Sequence, residues 1–282
     1  MDAPRRLRYG RPMAAVDRYV RLGAGTFHYL DWGTRGLPPV LMLHGGAQTA
    51  HSFDEVAPPT ARRHHVVCLD QRGHGDSDWA PRYRRADFVG DVGALLDRLG
   101  WRTTSLVGMS LGGLNSIAFA AAHPERLRAL VVVDVVPSVA PEGREAIAKQ
   151  LSVQEFASFD EAVEMAHRFN PRRTIENIRE RLGHSMRAFA DGRWRYKFDP
   201  DMAAGTQDLE RLWADVRRIR CPTLLVRGAE SPILTEEGTA RFLSLMPGSR
   251  VAVVAGAGHS VMGDNPAGFL AAVAPFLARH AG

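Results

Sequence analysis

The chain has 282 residues, 45% of them hydrophobic, so it can bury a substantial core as one large α/β domain or two smaller domains, and extended disorder is excluded. Its formal net charge of +5 is spread along the chain without a basic stripe, so we expect no nucleic-acid partner. The segment Met1–Leu7 has no apolar centre, and no apolar run reaches the length of a membrane span. We therefore expect a cytoplasmic protein with no signal peptide and no membrane partner.

Short apolar segments predict the strands of a sheet. The first two, Arg18–Leu22 and Thr26–Trp32, flank Gly23-Ala24-Gly25 and are typical of a hairpin. The later segments are continuous apolar runs, as expected of parallel strands that are buried on both faces. These runs are Val40–Leu43, Val66–Leu69, Ser105–Val107, Leu130–Val133, Leu224–Val226 and Val251–Val254. Cys68 and Cys221 lie in or beside such runs and indicate buried apolar positions, not a disulfide framework.

Segments with helical periodicity alternate with these strands. They are Asp87–Leu99, Leu111–Ala122, Glu236–Leu245 and Ala267–Arg279. Alternating strands and helices predict an α/β fold, in which an open, doubly wound sheet carries helices on both faces.

The alternation stops between Pro137 and Arg220. This stretch contains four helical patterns and no convincing strand; the patterns are Glu142–Gln150, Phe159–Phe169, Thr174–Phe189 and Asp208–Val216. We expect residues 1–136 and 221–282 to form the core domain and residues 137–220 to form a helical cap. An inserted cap would cover the carboxyl edge of the sheet, where open α/β sheets bind ligands.

The segment Gly108-Met109-Ser110-Leu111-Gly112 joins a predicted strand to a predicted helix. A serine at such a sharp turn is lifted clear of the sheet, and the turn is too crowded for large flanking residues. Ser110 is therefore the candidate nucleophile.

A serine hydroxyl needs a base and donors for the oxyanion. His259 follows the last predicted strand on a glycine-containing loop and is the candidate base. His44-Gly45-Gly46 follows the strand Val40–Leu43, and the amides of Gly46 and Leu111 are the candidate oxyanion hole.

These motifs, together with Gln71–Ser77, stand in the order found in alpha/beta-hydrolase-fold proteins, which the chain resembles from about Thr26 to its C-terminus. The resemblance is to the branch with a serine nucleophile and a helical cap. It implies a mostly parallel eight-stranded sheet and nucleophilic catalysis without a cofactor or a metal.

The acid of the triad departs from the family pattern. Similar proteins generally carry an aspartate in the loop after the seventh strand, but here Pro232 stands at that position. Glu230 lies in the same loop, whereas Asp134 ends the sixth strand, where some members place their acid. A carboxylate at the end of a buried strand is costly unless it is paired, so we prefer Asp134, with Glu230 as the alternative.

The predicted function is that of a cofactor-independent serine hydrolase, which cleaves a carboxylic ester or lactone through an acyl-enzyme on Ser110. The aromatic and apolar residues of the predicted cap indicate a small-molecule substrate with an apolar portion. Alternatives are a carbon–carbon bond hydrolase of a diketone, a cofactor-free oxygenase or perhydrolase, and a non-catalytic ligand-binding protein. Homo-oligomerisation stays open.

Overall fold

The structure, a computed structural model, describes residues 14–204 and 209–282 of the chain. The segment Met1–Leu7, on which the signal-peptide expectation rests, lies outside these ranges, as does Asp208, the first residue of a predicted helix. In the part of the chain that is described, none of the helices combines the length and the apolar character needed to cross a membrane.

The strands are numbered along the described part of the chain. They are β1 (Val16–Leu22), β2 (Gly25–Asp31), β3 (Pro39–Leu43), β4 (His65–Leu69), β5 (Thr104–Met109), β6 (Leu127–Val133), β7 (Glu155–Phe156), β8 (Met186–Ala188), β9 (Trp194–Tyr196), β10 (Thr223–Gly228) and β11 (Arg250–Val254).

The α-helices of the same ranges are numbered likewise. They are α1 (Ala57–Ala61), α2 (Arg85–Arg98), α3 (Leu111–Ala122), α4 (Pro141–Leu151), α5 (Phe159–Phe169), α6 (Ile175–Ser185), α7 (Leu209–Val216), α8 (Glu236–Leu245), α9 (Val261–Asp264) and α10 (Pro266–His280).

Eight strands form one sheet in the order β1-β2-β4-β3-β5-β6-β10-β11. Strand β2 runs antiparallel to both of its neighbours, and all the other pairs are parallel. The predicted hairpin and the mostly parallel eight-stranded sheet are both confirmed. The turns after β3, β5, β6 and β10 consequently meet along one edge of the sheet.

The central strands are apolar throughout because each of their faces packs against helices. In β3, Leu41 and Leu43 join a core layer with α2, α3 and α8, whereas Val40 and Met42 join a layer with α1, α9 and α10. Successive side chains of a strand point to opposite faces, so a strand covered on both sides has no polar face. The continuous apolar runs in the sequence reflect this burial.

The region 137–220 contains α4, α5 and α6, but also an antiparallel sheet in the order β7-β9-β8. The expectation of no strand in this region was wrong, because strands of two or three residues are too short to show a periodicity. Pairing of Met186–Ala188 with Trp194–Tyr196 also ends the predicted helix Thr174–Phe189 at Ser185.

Helix α7 also lies in the interval predicted as cap, yet it packs against the main sheet layer. Its residues Leu212, Trp213 and Val216 belong to the same buried cluster as Leu114 and Ala118 of α3. By contrast, the apolar residues of α5 and α6 form a cluster of their own with those of β7 and β8. The division of the chain into core and cap stays a prediction.

Candidate active site

Ser110 occupies a strained turn between β5 and α3. Its backbone has φ 50° and ψ −114°, and its N–H donates to the carbonyl of Val133 at 3.0 Å. A non-glycine residue in a sparsely populated conformation persists only where its surroundings enforce it, and such residues cluster at functional sites. The backbone thus shows the elbow that the motif predicts.

The two glycines that flank Ser110 are required by close backbone approaches. A Cβ at Gly108 would collide with the carbonyl oxygen of Gly112, and a Cβ at Gly112 would collide with the carbonyl oxygen of Leu43. The N–H of Gly112 also donates to the carbonyl of His44 at 3.1 Å, which joins the start of α3 to the loop after β3. Only glycine allows these segments to lie so close together.

We expect Gly112→Ala to destabilise the fold by about 1–3 kcal/mol, because overpacking against backbone forces the elbow and the β3 loop apart. Gly183→Ala is the matched control, since a Cβ at Gly183 in α6 meets open space. That change should raise stability by about 0.5–1 kcal/mol through the loss of glycine from a helix. Urea unfolding measures both, and equal midpoints for the two variants would contradict the expectation.

The ring of His259 contacts Asp134. Nδ1 of His259 lies 2.8 Å from Oδ2 of Asp134, and the carboxylate is fully buried whereas the histidine side chain is 26% exposed. His259 follows β11 and Asp134 follows β6, so two strand ends bring together residues that are far apart in the sequence.

Asp134 accepts two further hydrogen bonds. Its Oδ1 accepts from the N–H of Gly228 at 2.9 Å, and its Oδ2 accepts from the hydroxyl of Ser231. Its backbone has φ 52°, a region in which aspartate is one of the more tolerated residues. Three donors compensate a carboxylate that would be costly to bury alone. Ser231 was missed by the sequence reasoning, and no spacing or motif marks it.

Glu230, the alternative acid, has a different partner. Its Oε2 accepts from Nε and Nη2 of Arg172 at 2.8 and 2.5 Å. The carboxylate is half exposed and forms an ion pair at the rim of the cavity described below. The structure therefore brings Asp134, and not Glu230, to His259.

The loop after β3 is held by buried polar contacts. A Cβ at Gly45 would lie 2.5 Å from the sulfur of Met109, so a larger residue at this position would require the Met109 side chain to move. Nδ1 of His44 donates to the carbonyl of Gly45 at 2.7 Å, and its Nε2 accepts from the N–H of Gln71 at 3.0 Å. Leu111 is the first residue of α3, and the first amides of a helix have no partner within it.

His74 supports the same loop from the segment Gln71–Ser77. Its Nε2 accepts from the N–H of Ala47 at 3.2 Å, and its Nδ1 donates to the carbonyl of Arg72 at 3.1 Å. Burial lowers the pKa of His74 to about 3, and burial likewise lowers the pKa of His44. Both rings are therefore neutral near pH 7, and their hydrogen bonds fix the loop that carries Gly46.

These segments surround a cavity of ≈ 480 Å³. Gly46, Ser110 and His259 all line it, and residues of α5 and α6 cover it. A larger open groove of ≈ 1170 Å³ lies at the other end of the sheet, next to the first residues of β3, β4 and β6. Because ligands of open α/β sheets bind at the carboxyl ends of the strands, the smaller cavity is the candidate active site.

Two candidate metal sites occur among the described residues. Each is a group of histidine and carboxylate side chains whose ligand atoms lie within 4.8 Å of one another. In the first, the rings of His51 and His184 are stacked at 3.6 Å with an interplanar angle of 13°. A metal ion lies in the plane of each imidazole that binds it, so this stacked pair cannot share one. In the second, Asp70 already accepts hydrogen bonds from His28 and from two backbone amides.

The fold and this geometry define an α/β protein with a serine on a strained strand–helix turn and a pocket at the carboxyl edge of its sheet. A family model described as the alpha/beta hydrolase fold matches residues 38–266. The chain is 32% identical over 265 residues to Esterase Rv0045c of Mycobacterium tuberculosis, covering 90% of this chain and 86% of that one. It is 30% identical to 3-hydroxybutyrate-oligomer hydrolase of Cupriavidus necator, with coverages of 77% and 80%.

A solved structure has the same fold. The crystal structure of E-2-(acetamidomethylene)succinate hydrolase superposes with a TM-score of 0.86 at 28% identity, covering 94% of this chain and 99% of that chain. The chain belongs to the alpha/beta hydrolase fold family, and its relatives show it to be a hydrolase.

Proposed function

We propose that the protein hydrolyses a carboxylic ester or lactone through an acyl-enzyme on Ser110. The observation that carries this proposal is the hydrogen bond between His259 and the buried Asp134, at a cavity that Ser110 also lines. A histidine held by a carboxylate at one nitrogen keeps the other nitrogen free to act as a base.

In the first half of the reaction, Ser110 Oγ attacks the ester carbonyl while Nε2 of His259 takes the hydroxyl proton. The N–H groups of Gly46 and Leu111 donate to the oxyanion of the tetrahedral intermediate. Collapse breaks the ester bond, and His259 returns the proton to the leaving alkoxide. Asp134 stays ionised and stabilises the imidazolium that forms in between.

In the second half, His259 removes a proton from water, which attacks the acyl-enzyme. The second tetrahedral intermediate uses the same donors, and its collapse releases the carboxylic acid and regenerates Ser110. With a lactone the alcohol and the acid remain in one molecule, so the product is a hydroxy acid.

The cavity supports a small substrate with an apolar portion. Its walls include Met109, Phe169, Ile178, Leu182 and Ile233, and its volume is ≈ 480 Å³. Sites of this size take small organic molecules, with apolar walls for affinity and few polar groups for orientation. One relative is named as an esterase, which supports an ester as the bond that is cleaved. Other relatives are named as hydrolases of different compounds, so the relatives support no single substrate.

Labelling with a fluorophosphonate tests the proposal. We expect one label per chain, on the peptide that carries Ser110, and a burst of p-nitrophenol when p-nitrophenyl butyrate is mixed with the protein. His259→Ala should slow labelling by about 10²-fold or more, because the general base is lost. Hydrolysis of esters without labelling of Ser110 would contradict the acyl-enzyme, and a lack of turnover on a broad ester panel would contradict the ester as substrate.

A further inference from the structure

One face of α6 forms part of the cavity wall. Ile178, Arg181, Leu182 and Ser185 line the cavity, and their spacing of three and four residues places them on one side of the helix. Ile178 and Leu182 are buried in the apolar cluster beneath. Arg181 is thus a cationic side chain between apolar neighbours on a face directed at the candidate active site.

The other two arginines of the cavity wall are already paired. Arg172 forms an ion pair with Glu230, and Arg173 donates from Nε to Asp264 at 2.9 Å. Asp264 is 1% exposed and also accepts from Asn170 at 2.7 Å and from the N–H of Gly258 at 3.0 Å. Both carboxylates thus have an arginine other than Arg181 as their ion-pair partner.

Arg181 has no comparable partner among the residues described. Its Nη1 donates to the carbonyl of Ser52 at 3.5 Å, the limit of a hydrogen bond, and no carboxylate forms an ion pair with it. The carboxylates of Asp54, Glu55 and Asp264 act on the charge of Arg181 without forming an ion pair with it. Oδ2 of Asp54 contacts His51 at 2.8 Å, whereas Oδ1 of Asp54 is buried without a hydrogen-bond partner, and Glu55 accepts from Asn177 at 3.2 Å.

The charge of Arg181 persists at neutral pH. Burial lowers the pKa of its guanidinium to about 9 and the nearby Arg173 adds to this shift, whereas the charges of Glu55, Asp54 and Asp264 act in the opposite direction. Arg181 is partly buried, and withdrawing a cation from water is costly unless an anion compensates it; the described residues supply no carboxylate at ion-pair distance. A carboxylate on a ligand in the cavity would supply the direct partner that the described residues do not.

We infer that Arg181 binds a free carboxylate of the substrate, so that the preferred substrates are esters or lactones that carry one carboxylate beside an apolar portion. A planar guanidinium matches a carboxylate with two parallel hydrogen bonds. The inference rests on the proposed function for the identity of the scissile bond, but the binding of a carboxylate at Arg181 can be tested separately.

Matched pairs of esters test the inference. Mono-p-nitrophenyl adipate and p-nitrophenyl hexanoate differ by a carboxylate on the acyl side, whereas p-acetoxybenzoate and p-tolyl acetate differ by a carboxylate on the leaving group. For at least one pair we expect a higher kcat/KM for the anionic member. Arg181→Gln should lower the ratio of anionic to neutral kcat/KM by about tenfold or more, as expected for a lost charge-assisted hydrogen bond.

Two variants provide controls. Arg181→Lys should retain part of the ratio, because it keeps the charge and loses the paired donors. Arg179→Gln removes an exposed arginine of the same helix that pairs with Asp160 at 2.6 Å, and it should leave the ratio unchanged. The urea unfolding curve of Arg181→Gln should match that of the unaltered protein, which would show that the substitution does not disturb the fold.

Calorimetry with adipate and benzoate separates this inference from the proposed function, since binding needs no turnover. If no ester is hydrolysed but one of these acids binds and Arg181→Gln abolishes that binding, the proposed function fails and the carboxylate site stands. If esters are hydrolysed and the ratio of anionic to neutral kcat/KM is the same in the unaltered protein and in Arg181→Gln, the carboxylate site is overturned. Failure of both acids to bind detectably at millimolar concentration would also overturn it.

Discussion

Replacing Ser110 by alanine is expected to lower kcat for ester hydrolysis by about 10⁶-fold, the scale seen when the nucleophile of a serine hydrolase is removed. In the proposed mechanism the serine supplies the attacking oxygen, and alanine at the same position has no hydroxyl. Residual turnover above the rate in water would come from the amides of Gly46 and Leu111 and from substrate binding. Steady-state assays with p-nitrophenyl butyrate, combined with fluorophosphonate labelling, measure the loss.

The stability of the Ser110→Ala variant is measured as a control, to show that any loss of activity does not come from unfolding. The change removes only the hydroxyl and leaves the positive φ, so circular dichroism and the urea midpoint should match those of the unaltered protein. A variant that stays folded and retains more than about a tenth of kcat would contradict Ser110 as the nucleophile, because removal of a covalent nucleophile costs orders of magnitude.

The sequence predicts the main sheet and the elbow well because their causes are local. Runs such as Val40–Leu43 and Leu130–Val133 are apolar at every position, which a strand covered on both faces requires. The glycines around Ser110 are equally direct, since a Cβ at Gly108 or Gly112 would meet backbone. Each of these features can be recognised within a short window of sequence.

The features that the sequence does not predict depend on distant partners. Strands β7, β8 and β9 exist because three short segments pair across turns, and none is long enough to show alternation. Ser231 reaches Asp134 across 97 positions of sequence, and the significance of Arg181 depends on which neighbouring carboxylates are already engaged. Such relations appear only when the chain is folded.

The choice between the two candidate acids depends partly on local sequence and partly on distant partners. Burial of Asp134 at the end of an apolar strand favoured it from the sequence, and in the structure its carboxylate is fully buried beside His259. The pairing of Glu230 with Arg172 could not be anticipated, because many arginines are available along the chain. The catalytic role of Asp134 remains a proposal that mutation can test.

The second large effect concerns this acid: Asp134→Asn should lower kcat by about 10⁴-fold, the loss known for the same change in a serine protease triad. In the proposed mechanism the carboxylate, 2.8 Å from Nδ1 of His259, accepts from Nδ1–H and so selects the tautomer in which Nε2 can accept a proton. An amide nitrogen facing Nδ1 would favour the opposite tautomer, with the proton on Nε2, where it blocks general-base action. Steady-state kinetics with p-nitrophenyl butyrate measures this change.

Glu230→Gln is the matched control, because it makes the same carboxylate-to-amide change in the neighbouring loop. It removes a half-exposed ion pair with Arg172 and leaves the contact between Asp134 and His259 in place, so kcat should change by less than about tenfold. If Glu230→Gln lost more activity than Asp134→Asn, Glu230 would be the acid and the contact between Asp134 and His259 would be structural. If both variants stayed near full activity, His259 would act without an orienting carboxylate, which would argue against a triad at this elbow.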